Sequence, residues 1–422
     1  MPWVRFSVVS NPLVDDASPP LLVHTVRIDD PGPLLRLLPR DGALAWVHAG
    51  DGIVGWGRAA TVETAGPSRF SDAEKWWIEL ADASHVEDEV DKPGTGLVAF
   101  GSFAFSNSPG TSRLIVPEII VGRREGVSWL TTVGVEAPKL VATDPPVAPR
   151  NVTFADGTLS APQWQGVVSA AIARIAEGDL DKVVLARDVY ANFEGPLDVR
   201  WPLGQLVEHY PSCWTFSVGD FFGSTPEMLV RRERGLVASR VLAGTIRRTG
   251  DDTHDLALAG SLARSSKDRE EHEYAVRSVV DALDPHCTGM NVPEAPYVLH
   301  LPNVMHLATD VTGVIGDEAT ALTLAEALHP SAAVGGTPTP AAVELIAECE
   351  GMDRGPYAGP VGWIDASGDG EWGIGLRSAQ IEKGGVRMFA GCGIVADSDP
   401  ASELAESNAK FIPVRDALTF GS

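Results

Sequence analysis

An α+β fold with large antiparallel sheets flanked by helices is the architecture this sequence predicts, and three observations point to it. Apolar, β-branched runs arrive in hairpin-like succession between turn residues. Helical stretches fall between groups of strands instead of after each one, which disfavours a doubly wound parallel sheet. Neither glycine-rich segment is placed to open a dinucleotide-binding unit. Gly50-Asp51-Gly52-Ile53-Val54-Gly55 reads GxGxxG, but Gly57 follows at once and the segment continues as strand where a helix is required. Gly391-Cys392-Gly393-Ile394-Val395-Ala396 has too little chain after it for the second strand of a βαβ unit. Walker A, GxSxG and HExxH patterns are absent from the sequence.

The elements follow in order. LAWVHA around Trp46, GIVGWGRA around Trp56, GLVAFGSFAF around Phe103 and LIVPEIIVG from Leu114 read as strands of a β-rich scaffold spanning 1–150. The proline-containing link APKLVATDPPVAPRN, Ala137 to Asn151, marks the boundary with a second part of the same fold, 151–422. Ser160 and Gln163 make a capping box. Trp164, Val167, Val168, Ala171, Ile172 and Ile175 then keep one apolar face until Gly178. KVVLARDVY from Lys182 and CWTFSVGDFF from Cys213 are strands, and a long helical region covers Asp252 to Leu283. Thr339-Pro340 opens a helix that Gly351 closes. Strands GWIDAS, WGIGLRSAQIE and GVRMFAG follow, with Gly368 to Gly370 as a turn between the first two. Gly391 to Val395 reads as a glycine-flanked turn. Asp399 as N-cap and Pro400 at the first helical position start the last helix.

Composition narrows the function. Of 422 residues, 44% are hydrophobic and 21% charged, ordinary globular usage. The formal charge of −24 repels phosphate, so neither nucleic acid nor an anionic membrane surface is expected as partner. No apolar run reaches the length of a membrane span, and MPWVRFSVVS has no signal-peptide pattern, so a cytoplasmic protein is expected. Cys213, Cys287, Cys349 and Cys392 are too scattered for a CxxC pair.

Several groups could carry chemistry. On the last helix Glu403, Glu406 and Lys410 share a stripe, as a cation and anion site or as a solvated face laced with ion pairs. Lys182 opens an apolar strand. Desolvated and neutral it would be a general base or a Schiff-base nucleophile; otherwise it is a strand-end lysine facing water. Glu227, half buried against Met228 and Phe222, could remain protonated as a general acid, or be a surface carboxylate. Glu271 neighbours Glu270 and Glu273 and is a Mg²⁺ ligand only if it faces Glu403 and Glu406. Arg377 inside a sheet calls for an anion or a cap of acids, and Tyr357 offers a hydroxyl. His306 and His329 read as structural. Together these residues describe an acidic, Mg²⁺-compatible site for a small anion.

KVVLARDV, GSTPEMLVRR, VLAGTIRR, SSKDREEHE, NVMHLATDVTG, LHPSAAVGGTP, YAGPVGW, GDGEWGIGLRSAQI and AGCGIVADSDPASELAESNAKF, in that order, resemble the chorismate-utilising enzymes related to anthranilate synthase component I, and most closely the isochorismate synthases. The resemblance covers about Ser160 to Leu418 and implies α/β/β/α layers. It places Mg²⁺ on Glu271 and Glu406, with Glu403 close by through water. It places chorismate's carboxylates on Lys410, Arg377, Tyr357 and the backbone at Gly391 and Gly393, with Gly244 and Thr245 along the ring. It implies that Lys182, as a neutral amine, activates water for attack at C2 while Glu227 protonates the departing C4 hydroxyl. Anthranilate synthases have glutamine at the Lys182 position, and aminodeoxychorismate synthases have lysine at the Ala243 position; neither is present. No glutamine amidotransferase subunit is therefore expected, and the protein is expected to be a monomer. Salicylate synthases, which go on to eliminate pyruvate, are the main rival, and a non-catalytic anion-binding protein is a remote one. GDGEW and HLATDVTG favour isochorismate as end product, for menaquinone or a salicylate or catechol siderophore. At Cys392 many relatives have alanine.

Overall fold

The computed structural model describes residues 20–107 and 110–420, so the N-terminal MPWVRFSVVS lies outside the described residues. Among the described residues the apolar runs pair into one thirteen-stranded and one ten-stranded sheet. The ladders are antiparallel except where Leu22–Ile28 runs beside His85–Asp88. The formal GxGxxG is a hairpin: Leu44–His48 pairs with Asp51–Trp56 across Ala49 and Gly50, whose positive φ of 51° and 90° match a tight turn of the strands' own twist.

Both sheets draw strands from both halves of the chain. Leu44–His48 pairs with Trp214–Val218 in the larger sheet, and Val98–Ser102 pairs with Pro360–Asp365 in the smaller. Between the sheets Trp46, Phe216 and Phe221 of one pack on Phe100, Met228 and Val361 of the other. Each such side chain contributes on the order of 2 kcal/mol by leaving water. The helices Arg200–His209 and Pro400–Thr419 cover the outer face of the larger sheet, with Leu203, Leu206, Val414 and Leu418 against Phe222, Ala379 and Met388. Arg69–Ala83, Ser266–Leu283 and Ala321–Ala327 lie against strands of the smaller sheet. The layering is helix, sheet, sheet, helix.

The capping signals act as read. Ser160 and Gln163 close both bonds of their box, and Gly178 leaves the helix with φ 89°. Asp399 accepts the Ser402 amide at 2.8 Å, and Pro400 begins the last helix.

Several boundaries differ from expectation. The N-terminal half also contains a helix, Arg69–Ala83. LIVPEIIVG is two strands in different sheets, Thr111–Val116 and Ile119–Arg124, because Pro117 has no N–H for a ladder. WGIGLRSAQIE likewise divides, into the Gly370–Ile374 and Ser378–Glu382 strands, at Arg377 with its φ of 48°. The helical region splits into Asp252–Arg264 and Ser266–Leu283, where Ser265 takes a bond from the Asp268 amide at 3.2 Å and caps the second helix. Gly391 to Ile394 is no turn but the end of the strand Gly385–Ile394, paired with Lys182–Glu194.

Candidate active site

A cavity of about 270 Å³ lies where the strands Lys182–Glu194 and Gly385–Ile394 of the larger sheet face Leu236–Arg247 and Val304–Ile315 of the smaller. The helices Ser266–Leu283 and Pro400–Thr419 supply opposing walls. Lys182, Glu227, Gly244, Thr245, Glu271, Tyr357, Arg377, Gly391, Gly393, Glu403, Glu406 and Lys410 all line it.

Lys182 is the first residue of its strand and only 3% exposed, so the water-facing reading fails. Its Nζ lies 2.8 Å from Glu271 Oε1. Gly393 makes this contact possible. A Cβ there would stand 2.8 Å from Glu271 Oε1 and 2.9 Å from Lys182 Cε. Glu271 therefore turns inward, while Glu270 and Glu273 on the same helix are exposed.

Glu227 sits between the strands Phe221–Thr225 and Met228–Glu233, 5% exposed, with Phe222 and Met228 buried beside it. Burial pushes its carboxyl up to about 7, against the Leu242 amide 3.5 Å away and the positive charges of Arg377, Lys182 and Lys410. The group holds its proton near neutrality.

Gly244 marks a bulge, since the register of Leu236–Arg247 against Val304–Ile315 shifts between Ala243 and Thr245. Its φ of 73°, and the 3.0 Å that a Cβ would leave to Asp268 Cβ, demand glycine. The bulge presents Thr245 to His306, with Oγ1 and Nδ1 3.1 Å apart. His306, expected to be structural, belongs to the site. Burial and the charges of Arg377 and Lys410 hold its imidazole well below the usual range, so it is neutral. Its Nε2 lies 3.5 Å from Arg377 Nη2, and a guanidinium can only donate. Nε2 is therefore the acceptor and Nδ1 carries the proton toward Thr245. His329 stays structural: Nε2 donates to Phe105 O at 2.9 Å, and the ring packs against Phe70 and Phe105.

Arg377 holds a left-handed backbone that costs a non-glycine residue on the order of 1 kcal/mol, a type of strain that concentrates at functional sites. Tyr357 stacks on Phe389, and burial raises its hydroxyl to about 12, leaving it a donor. The Gly391 carbonyl accepts Lys410 Nζ at 2.8 Å. Opposite Gly393 the Val184 amide bonds to Gly335 instead, so Gly391 and Gly393 direct their peptide groups away from the Lys182 strand. The strand on that other side, Ser378–Glu382, reaches only as far as Phe389.

Glu406 Oε1 lies 2.7 Å from Lys410 Nζ, and Glu403 is 8% exposed, so this stripe is not a solvated face. Burial opposes the Lys410 charge, while the Glu406 carboxylate beside it favours the ammonium. Glu271 from one wall and Glu403 and Glu406 from the other bring oxygen donors to one cavity, a donor set that suits Mg²⁺. Sequence reasoning missed Arg354. It is 2% exposed, lines the cavity, pairs with Glu350 and donates to the Val184 and Val334 carbonyls at 2.7 and 3.0 Å. Nothing in the local pattern MDRGPY marks it.

A buried lysine, a protonated carboxyl, three further carboxylates and the cations Arg377 and Lys410 thus meet in one cavity. The chain belongs to the family described as chorismate binding enzyme, whose profile matches residues 46–419. Within it, the chain is 31% identical over 402 residues to isochorismate synthase MenF of Bacillus subtilis, across 87% of this chain and 85% of that protein. It is 40% identical over 265 residues to the salicylate biosynthesis isochorismate synthase of Pseudomonas aeruginosa, across 61% of this chain and 55% of that one. The solved structure of MenF, the menaquinone-specific isochorismate synthase from Escherichia coli, superposes with a TM-score of 0.79 at 25% identity, over 96% of each chain.

Proposed function

We propose that the protein is an isochorismate synthase, and the observation that carries the mechanism is a buried amine, Lys182, and a protonated carboxyl, Glu227, on the walls of one cavity. Chorismate binds with its carboxylates on Arg377, Lys410, Tyr357 and the amides at Gly391 and Gly393, and with its ring along Gly244 and Thr245. In a protein of charge −24 these contacts must act at short range. Lys182 takes a proton from a water as its oxygen attacks C2. The double bond shifts, the C4–O bond breaks, and Glu227 gives its proton to the departing hydroxyl, which leaves as water. Water enters and water leaves, so the reaction is a reversible isomerisation.

Glu271 and Glu406, with Glu403 beside them, would hold Mg²⁺. When bound, the ion would supply positive charge for chorismate's carboxylates; Glu271 is also the carboxylate 2.8 Å from Lys182 Nζ. Because water is the nucleophile, this reading requires no amidotransferase subunit, and it takes the protein as a monomer. No described helix is long and apolar enough to cross a membrane.

The test is incubation of the purified protein with chorismate and Mg²⁺, with and without ammonium, resolving products by liquid chromatography. Isochorismate without pyruvate is expected. Salicylate with equimolar pyruvate would make the protein a salicylate synthase, and no turnover would make it an anion-binding protein.

A further inference from the structure

Lys182 and the stripe of Glu403, Glu406 and Lys410 come from distant parts of the chain, and Arg187 joins them. The strand Lys182–Glu194 pairs with Gly385–Ile394 without a break in register from Val183 to Asn192, so its side chains alternate. Lys182 and Val184 line the cavity, and Arg187 therefore points the other way, under the C-terminal helix. It is 4% exposed. Its Nε donates to Ser407 Oγ at 3.0 Å, its Nη2 donates to Asn408 Oδ1, and its guanidinium carbon lies 5.0 Å from the centre of the Phe411 ring. Both acceptors are neutral. Ser407 follows Glu406 and Phe411 follows Lys410, so this grip falls on the helix face next to the stripe that lines the cavity.

We propose that Arg187 is a positioning residue for the proposed reaction: by holding Ser407, Asn408 and Phe411 it sets the rotation of the last helix, and with it where Glu403, Glu406 and Lys410 stand relative to Lys182. This rests on the reading that those two carboxylates hold a divalent cation and that Lys410 meets a substrate carboxylate. A small rotation matters at this site. Side-chain ends lie roughly 5–6 Å from a helix axis, so a turn of roughly 10° carries a carboxylate about 1 Å sideways. Mg²⁺ takes oxygen at roughly 2.0–2.1 Å in near-ideal octahedral geometry and does not follow such a displacement. Two hydrogen bonds from one rigid guanidinium fork, with its plane also set against a ring, resist rotation where apolar packing alone would let the helix settle at another angle. Folding gains much less from the same side chain. Its bonds run to neutral groups, which offset only part of the cost of taking a charge out of water. Nor would its loss orphan a partner, because Ser407 Oγ also donates to the Leu404 carbonyl at 2.9 Å and Asn408 is exposed to water. Stability and positioning therefore separate at Arg187.

The test is titration of the full-length protein with Mn²⁺, an oxygen-preferring octahedral ion whose free form is counted by electron paramagnetic resonance, with excess chorismate present. The wild type is compared with Arg187→Met and Asn408→Ala, and thermal unfolding of each protein is followed in parallel. Arg187→Met is expected to unfold within a few degrees of the wild type yet to bind Mn²⁺ roughly tenfold more weakly, with KM for chorismate rising in step. Asn408→Ala, altered only at an exposed side chain, is expected to weaken Mn²⁺ in the same direction by about threefold, and it decides alone if Arg187→Met does not fold. A residue that merely held the fold together would lower the melting temperature and leave the affinity of the folded protein for Mn²⁺ as it was. Affinity in the folded variants within about twofold of the wild type would therefore overturn the proposal, whatever the melting temperature. The same titration separates this inference from the reading beneath it. If the wild type takes up Mn²⁺ and the variants match it, only the role of Arg187 fails. If the wild type takes up none, the cation reading of Glu403 and Glu406 fails, and the positioning role falls with it.

Discussion

Glu227→Gln should make the protein more stable and nearly inactive, and both effects follow from one buried proton. The Glu227 carboxyl rises from 4.5 to about 7 in the folded state because burial penalises its charge. Between those values the folded protein keeps a proton that the unfolded chain has released. Stability therefore falls as pH rises through this window and stays lower above it. At about 1.36 kcal/mol per unit, the shift amounts to roughly 3 kcal/mol. The side chain is 5% exposed, so solvent screening removes little of this. Glutamine has nearly the same shape and no charge to desolvate. The wild type and the variant should match in urea denaturation at pH 4, and at pH 8 the variant should be more stable by about 3 kcal/mol. Without the acid, kcat should fall by roughly 10² to 10⁴. In the wild type kcat/KM should decline tenfold per unit as pH rises above about 7. A stability difference that does not change between pH 4 and pH 8 would refute the protonated-acid assignment.

Other substitutions probe the remaining parts. Lys182→Ala should lower kcat by roughly 10² to 10⁴ while chorismate still binds by calorimetry, and full activity would sink the base assignment. Glu406→Gln removes the charge of a proposed Mg²⁺ ligand and should weaken apparent Mg²⁺ affinity by roughly 10-fold or more in a metal titration of activity. His306→Ala removes the acceptor that orients Arg377 and should raise KM by roughly fivefold with a smaller effect on kcat, read from initial rates. Glu350→Gln strips a buried partner from Arg354, with both side chains at most 2% exposed, and should cost about 3 kcal/mol in urea denaturation.

Local signals carried far into this fold where the physics is local. The Ser160 box, the Asp399 cap and the hairpin alternation depend on neighbours within a few residues, and each stands where it was read. Gly391 to Val395 misled because glycine there is chosen for space, not for turning. Glu271 and Lys182 occupy the volume a Cβ at Gly393 would fill, and both lie far away in the chain. LIVPEIIVG and WGIGLRSAQIE were read as single strands because apolar runs do not say which sheet receives each half. The residues of the candidate site came from the resemblance as well as from local chemistry. His306 escaped because an imidazole in an apolar strand looks the same whether it fills a core or holds an arginine.

Sharing of both sheets between the two halves has a consequence for how the chain is made. The Lys182 strand has Gly385–Ile394 beside it, and Leu44–His48 waits for Trp214–Val218, so pairings that build the cavity span some two hundred residues. Such a topology has high contact order and closes late. During synthesis, the N-terminal strands would emerge with their partner edges missing and their apolar faces uncovered. They are exposed to self-association until the closing segments leave the ribosome. Neither half, expressed alone, is expected to reach this arrangement, and co-expression of the two would have to assemble the sheets by association.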